Sequence, residues 1–528
     1  MRAQSCGEAV VRLLEQYDVD TVFGIPGVHT LEIYRGLAAS DIRHVSPRHE
    51  QGAAFMADGY ARVAGKPGVC TLITGAGVTN AATPIASAYH DSIPMLVLSS
   101  ATARADNGRG HGSLHDLPDQ RAFMATITAE SIEVRDPADL PEAFARAYEI
   151  FESRRPRPVH IGIPIDVLDL PAAAAERLAA RGARPLADPA LIARAVELLA
   201  AAERPMLLLG GGAVGAGAEA VAVAERLGAP VGLTVNAKGV VPDSHPLSLG
   251  TTLTLKPVHA AFTDADAVLA VGTEFGETDY FYAPGASAPR FAGSLVRVDI
   301  DAGQLHQQRE PAIALHADAA AALAAIDAGL AARGRERSTG GARAAELRAG
   351  RRWWPGAEAF LPFLAALDRG IPENGILVAD STQPAYVAHH SWPGRAPRGY
   401  IAPGGFGTLG PALPMAIGAQ IAAPRRPVVA LAGDGGALFT IQELASAADL
   451  GLPLALVIWQ NDGYGEMRDS MDRIAAPHMG TEVTARDFLL LAEGFGCRGV
   501  RTDSLDDLPG ALAEAFSADR PTLIEVHS

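Results

Sequence analysis

Cysteine is scarce in this chain of 528 residues: Cys6, Cys70 and Cys497 are the only three, and they lie far apart. An odd, scattered set supplies neither a disulfide framework nor a thiolate metal cluster, so a reducing cytoplasm is the expected compartment. Aromatic residues are few, at 6%. Positive charge is in deficit: 44 Lys and Arg face 60 Asp and Glu, for a formal net charge of −16. With no basic stripe interleaved with aromatics, nucleic acid is not an expected partner. No apolar run approaches the ~20 residues of a membrane-spanning helix. The opening MRAQSCGEAVVRLLEQYDVD carries charges where a secretory signal needs its apolar core. The expectation is a soluble chain with no membrane partner.

What is present is alternation. Alanine supplies much of the 48% hydrophobic share, and 55 glycines add further small residues. That composition suits helices packed closely on parallel sheets, and the length suggests about three domains. Strand-like runs at Thr21 to Ile25, Val69 to Thr74, Met95 to Ser99 and Val159 to Ile163 alternate with helical stretches in residues 1–172. An Ala-, Arg- and Pro-rich stretch, Leu168 to Asp188, reads as a linker. Residues 189–330 repeat the alternation, with helices Pro189 to Ala202 and Ala218 to Leu227 and strands Pro205 to Leu209 and Ala267 to Val271. A second linker, Gly334 to Arg352, precedes a last unit at 356–528. The expected fold is α/β, three doubly wound parallel-sheet domains in series.

The last unit carries the most informative stretch. An apolar run, Pro427 to Ala432, ends in Gly433-Asp434-Gly435-Gly436; a helical pattern spans Phe439 to Leu450; a second run, Leu454 to Trp459, delivers Gln460-Asn461-Asp462-Gly463. This is a β-α-β unit, so both polar ends should emerge at the carboxyl edge of one parallel sheet, where such sheets bind ligands. An anionic oxygen and an amide oxygen meeting there suit a hard cation such as Mg²⁺, which usually carries phosphates. Gly435 and Gly436 let backbone N–H groups approach those phosphates. A tight turn and a helix cap would be the bland explanation.

GDG followed after 27 residues by Asn461 resembles the metal–diphosphate motif of thiamine diphosphate (ThDP) enzymes. The three-part order resembles the pyruvate decarboxylase and acetolactate synthase superfamily: pyrimidine-binding, middle and diphosphate-binding domains. The resemblance implies that Asp434, Asn461 and the Gly463 carbonyl hold Mg²⁺, with Tyr464 beside the cofactor. The family's usual Asn before the ligand is Gln460 here. RHEQGAAFMADGYAR is similar to the activating-glutamate segment, which implies that Glu50 bonds the pyrimidine; a first-turn Glu also suits a helix dipole without any chemistry. Leu409, 25 residues before Asp434 in GGFGTLG, stands where relatives place the apolar wedge beneath the cofactor, and Gly407 would offer its carbonyl to the 4′ nitrogen. Thr382 and Gln383 are further diphosphate-side candidates. The resemblance also implies a homodimer or homotetramer with active sites shared between subunits.

Which reaction follows depends on the pocket. His29 lies in GIPGVHT, and His111 and His115 lie in a loop where acetolactate synthases carry Gln; His115 is the nearest match. Near neutral pH a histidine can exchange protons. Glu466 follows the metal loop, and Glu277 and Asp279 occupy a middle-domain loop; carboxylates there could pair with a cationic substrate tail. The combined motifs look most like the 5-guanidino-2-oxopentanoate (2-ketoarginine) decarboxylase branch, with non-oxidative decarboxylation of a 2-oxo acid to an aldehyde. The alternative is an acetolactate synthase-like carboligase. Gly210 to Gly215 matches G-x-G-x-x-G, but LTVNAK at 233–238 lacks the acid a dinucleotide ribose needs. A silent ThDP-binding protein is disfavoured by the presence of Glu50, Leu409, Asp434 and Asn461 together.

Overall fold

The computed structural model describes residues 3–173, 176–178, 182–279, 290–483 and 487–527. They form two compact units: Met1–Ala183, Val378–Ser381 and Phe406–Ser528 in the first, Arg184–Leu377 and Thr382–Gly405 in the second. Three six-stranded parallel sheets organise the chain. The first contains β1 (Thr21–Gly24), β2 (Arg43–Val45), β3 (Gly68–Leu72), β4 (Met95–Ala101), β5 (Glu130–Glu133) and β6 (Val159–Pro164), in the order β2-β1-β3-β4-β6-β5.

The second sheet contains β7 (Pro205–Leu209), β8 (Val231–Leu233), β9 (Ser248–Gly250), β10 (Ala267–Val271), β11 (Ser294–Asp299) and β12 (Ile313–His316), in the order β12-β11-β10-β7-β8-β9. The third contains β13 (Ile376–Ala379), β14 (Tyr400–Ile401), β15 (Val428–Gly433), β16 (Ala455–Gln460), β17 (Arg498–Thr502) and β18 (Thr522–His527), in the order β14-β13-β15-β16-β18-β17. Central strands such as β4 and β16 are buried along their whole length, as strands covered by helices on both faces must be. Three α/β sheets are what the alternation predicts.

Strand order reverses between β1 and β3 in the first sheet and between β13 and β15 in the third. Ligand crevices of doubly wound sheets open at such reversals, beyond the carboxyl ends of the strands. Gly24 pairs with Thr71, and Leu72 with Ser99, so the loops after β1, β3 and β4 share one edge. Gly433 pairs with Trp459, which brings Asp434 and Asn461 to one edge of the third sheet.

The helix Glu50–Ala64 follows β2. His49 Nδ1 accepts the Gln51 N–H at its start, and Gly65, at φ 69°, ends it. Its small residues let the helix Ala412–Ala422 cross it backbone to backbone. A Cβ on Gly59 would lie 2.1 Å from the Met415 carbonyl oxygen, and one on Gly418 would lie 1.9 Å from that of Met56.

Within the helical pattern at Phe439 to Leu450 the helix occupies Glu443–Asp449, and a separate single turn, Asp434–Ala437, precedes the pattern. Thr440 lies between them, its hydroxyl bonded to the Gly410 carbonyl. Gly210 and Gly212 have a packing reason: a Cβ would lie 2.2 Å from the Gly272 carbonyl oxygen at Gly210 and 2.8 Å from Gly272 Cα at Gly212.

Candidate active site

Asp434 leaves β15 buried, with both oxygens engaged by main-chain amides. The Gly435 N–H donates to Oδ1 and the Gly463 N–H to Oδ2, each at 2.8 Å. Burial raises its pKa above the ordinary carboxylate value, against the pull of those amides. The chain after β16 turns sharply, with Asp462 at φ 59° and Gly463 at φ 130°. The Arg468 guanidinium holds this turn, donating to the main-chain carbonyls of Asn461 at 2.6 Å and Asp462 at 2.9 Å. Tyr464 covers the GDG turn so closely that a Cβ on Gly435 would lie 2.6 Å from its ring.

Among the described residues no cluster of three His, Cys, Asp or Glu side chains could hold a metal. The Asp434, Asn461 and Gly463 set is instead one carboxylate, one amide and one main-chain carbonyl. All three donors are hard oxygens. That chemistry fits Mg²⁺ carrying a diphosphate.

Glu50 opens its helix half-buried, and the Asn80 amide donates to its Oε2 at 2.9 Å. The turn that opens this helix rests on Glu443, a fully buried acid that sequence reasoning missed. Its carboxylate accepts the Arg48 and His49 N–H groups at 3.1 Å and the Ser446 hydroxyl at 2.6 Å. A Cβ on Gly52 would lie 2.3 Å from Glu443 Oε1, which explains the glycine there. The signal was an acid on the inner face of an apolar helix, where only a paired carboxylate is tolerated.

His29 and His115 meet edge to face, ring centroids 5.5 Å apart. Burial, then the neighbouring His115, lowers the pKa of His29, and its Nδ1 is buried without a hydrogen-bond partner. His115 sits at φ 62°, its carbonyl packed on Gly75. Gln120 ties this loop to the sheet: its Oε1 accepts from the Thr74 hydroxyl at 2.7 Å and the Gly75 N–H at 3.0 Å, and its Nε2 donates to Ser99 Oγ at 3.0 Å. His111 is exposed and paired with Asp106 at 2.9 Å. Glu466 is paired with Arg473 at 3.1 Å.

Asp380, at the end of β13, is buried, and burial pushes its pKa up to about 6. Leu409 is half-buried, and Gly407 is exposed at φ 63°. In the second unit Thr382 precedes the helix Gln383–Ser391, whose first residue is Gln383. Glu277 and Asp279 form a short 3₁₀ turn there.

Residues 4–123 match the family described as thiamine pyrophosphate enzyme, N-terminal TPP binding domain. Residues 192–326 match the central domain of that family and 380–526 its C-terminal TPP binding domain. The chain is 47% identical to the probable 2-ketoarginine decarboxylase AruI of Pseudomonas aeruginosa, over 99% of this chain and 94% of that one. This chain belongs to the thiamine pyrophosphate enzyme family. Thiamine pyrophosphate is ThDP, so the cofactor expectation holds. The chain is also 32% identical to the probable acetolactate synthase large subunit of Methanocaldococcus jannaschii, over 98% of this chain and 91% of the relative. Identity is again 32% to the acetolactate synthase isozyme 1 large subunit of Escherichia coli, over 98% and 93%. Among the described residues no helix is long and apolar enough to cross a membrane.

Proposed function

We propose that this chain is a ThDP- and Mg²⁺-dependent carboxy-lyase that converts a 2-oxo acid, 5-guanidino-2-oxopentanoate, to its aldehyde and CO₂. The observation that carries the reading is the 47% identity to a probable 2-ketoarginine decarboxylase over nearly the whole of both chains. When bound, the cofactor supplies a carbanion that adds to the 2-oxo carbon and takes up the electrons released with CO₂.

The chain's own residues have separate tasks. Asp434, Asn461 and the Gly463 carbonyl hold Mg²⁺, while Gly435 and Gly436 line the diphosphate and Tyr464 covers the turn. Glu50 holds a proton at the pyrimidine edge, and Leu409 and Gly407 support the rings. The His29 and His115 pair moves the proton that completes the aldehyde. Burial, then the neighbouring His115, favours the neutral form of His29, which leaves that ring able to accept a proton. Glu466 is the carboxylate for a guanidinium tail.

Glu50 of one subunit and Asp434 of its partner complete one site in a homodimer or a dimer of dimers. Domain bounds of 1–172, 189–330 and 356–528 accompany this reading.

A screen of 2-oxo acids for CO₂ release, with and without ThDP and Mg²⁺, tests it. The guanidino acid should be turned over best, with the aldehyde as product. Chelation with EDTA should abolish release and added Mg²⁺ restore it. Acetolactate formed from pyruvate would favour the carboligase instead, a reading supported by the 32% identities.

A further inference from the structure

Leu409 is pinned through both of its peptide groups. The Thr408 carbonyl, on the peptide entering Leu409, accepts the Ser381 hydroxyl at 3.0 Å. The Gly410 N–H, on the peptide leaving it, donates to both oxygens of Asp380, at 3.1 and 3.0 Å. Asp380 also accepts the Ser381 N–H at 2.8 Å and the Ala412 N–H at 3.5 Å. Thr440 Oγ1 donates to the Gly410 carbonyl at 2.6 Å, closing the far side.

Gly410 is confined as well. Its φ is 86°, and a Cβ would lie 2.6 Å from Phe439 Cβ. Gly436 lies so near that a Cβ there would be 3.2 Å from Asp380 Oδ1. One buried carboxylate therefore gathers the end of β13, the glycine loop and the GDG turn.

Burying an acid is costly unless hydrogen bonds offset it, and this one takes them from the main chain. With both flanking peptide planes fixed, the Leu409 Cα–Cβ bond has one direction. We propose that Asp380, with Ser381, is the positioning residue that aims Leu409 and the nearby Gly407 carbonyl at the cofactor. The inference rests on the reading of Leu409 as the wedge. Asp380 touches no reacting atom.

The test compares wild type, Asp380→Asn, Ser381→Ala and Leu409→Ala, each loaded with ThDP and Mg²⁺. One readout is amide hydrogen exchange over residues 406–412; the other is the rate at which deuterium enters C2 of the bound cofactor. Asp380→Asn keeps the shape but turns an NH₂ group toward donors, so loop exchange should rise about tenfold, the scale of one lost charge-assisted bond. Exchange in β15 and β16 should stay at its wild-type rate. Deuterium entry should slow by a similar factor, with kcat falling and KM for the 2-oxo acid nearly constant.

Wild-type exchange at both places in Asp380→Asn, with Leu409→Ala slow, overturns the positioning role alone. Wild-type deuterium entry in Leu409→Ala overturns the wedge reading and this inference with it. Should Asp380→Asn not fold, Ser381→Ala, which loses only the Thr408 bond, decides: faster loop exchange and slower deuterium entry support the role, and wild-type values overturn it.

Discussion

Glu50 and Asp434 are acids in unequal surroundings. Asp434 has its charge spread over two main-chain amides, while Glu50 receives a side-chain amide at a helix start. Replacing Glu50 by Gln removes the ionisable proton and keeps the shape. CO₂ release should fall by about 10² to 10⁴, the range for a lost general acid–base group, with the melting curve unchanged. Unchanged turnover in a coupled CO₂ assay would remove Glu50 from the reaction.

Glu443 shows a different kind of dependence. In Glu443→Ala the Arg48 and His49 N–H groups would be left buried, at a cost of about 1–3 kcal/mol for each stranded donor. A denaturant midpoint lower than wild type should reveal it, and an unchanged midpoint would deny the cap. Glu50 and Asp434 could be singled out in the sequence because each sits in a segment that resembles a family motif. The distant partners of Glu443 and Asp380 were not legible, since they are main-chain amides hundreds or tens of residues away, and no local pattern encodes such a pairing.

At the scale of elements, apolar runs and glycine stops located β1, β3, β4, β6, β7, β10, β15 and β16 to within a residue or two, while short strands such as β5, β8, β9 and β14 gave no such signal. The helix Glu50–Ala64 was legible from its small residues and closing glycine. The helix expected from Phe439 was not, because Thr440 gives its hydroxyl to another loop. In the first sheet His160 is fully buried between Ser99 Oγ at 2.7 Å and Ser131 Oγ at 2.8 Å. Burial lowers its pKa from 6.5 to about 3, so the folded state holds the neutral ring.

The unfolded ring protonates first on acidification. Its contribution is therefore complete above pH 6.5 and is lost as the pH falls toward 3. The slope should be about 1.4 kcal/mol per pH unit from this one group. Urea unfolding at a series of pH values should show that slope in wild type and a shallower one in His160→Gln. Equal slopes would mean that the ring is protonated in the fold.

At the scale of the whole molecule, the proposed homodimer can be set against the exposed surface. Within the first unit, Val28, Leu114, Phe406, Phe439 and Met467 are exposed apolar side chains. They lie in or beside the segments that carry His29, His115, Gly407, Asp434 and Gly463. Scattered exposed apolar residues are ordinary, but these cluster on functional loops and suit coverage by a second copy. In the proposed dimer, specific activity should drop on dilution as sedimentation velocity reports monomer. Constant activity in a monomeric sample would exclude sites built from two chains.

The crossing of Glu50–Ala64 over Ala412–Ala422 has a practical consequence. Carbonyl oxygens sit where side chains would begin, so neither helix can slide or roll to absorb a change nearby. A laboratory search for new substrates would waste its variants on Gly59 and Gly418. Useful diversity should concentrate in the loop at 102–119 and in the segment after the helix Gly465–Arg473, sparing His115, because both lie outside that joint.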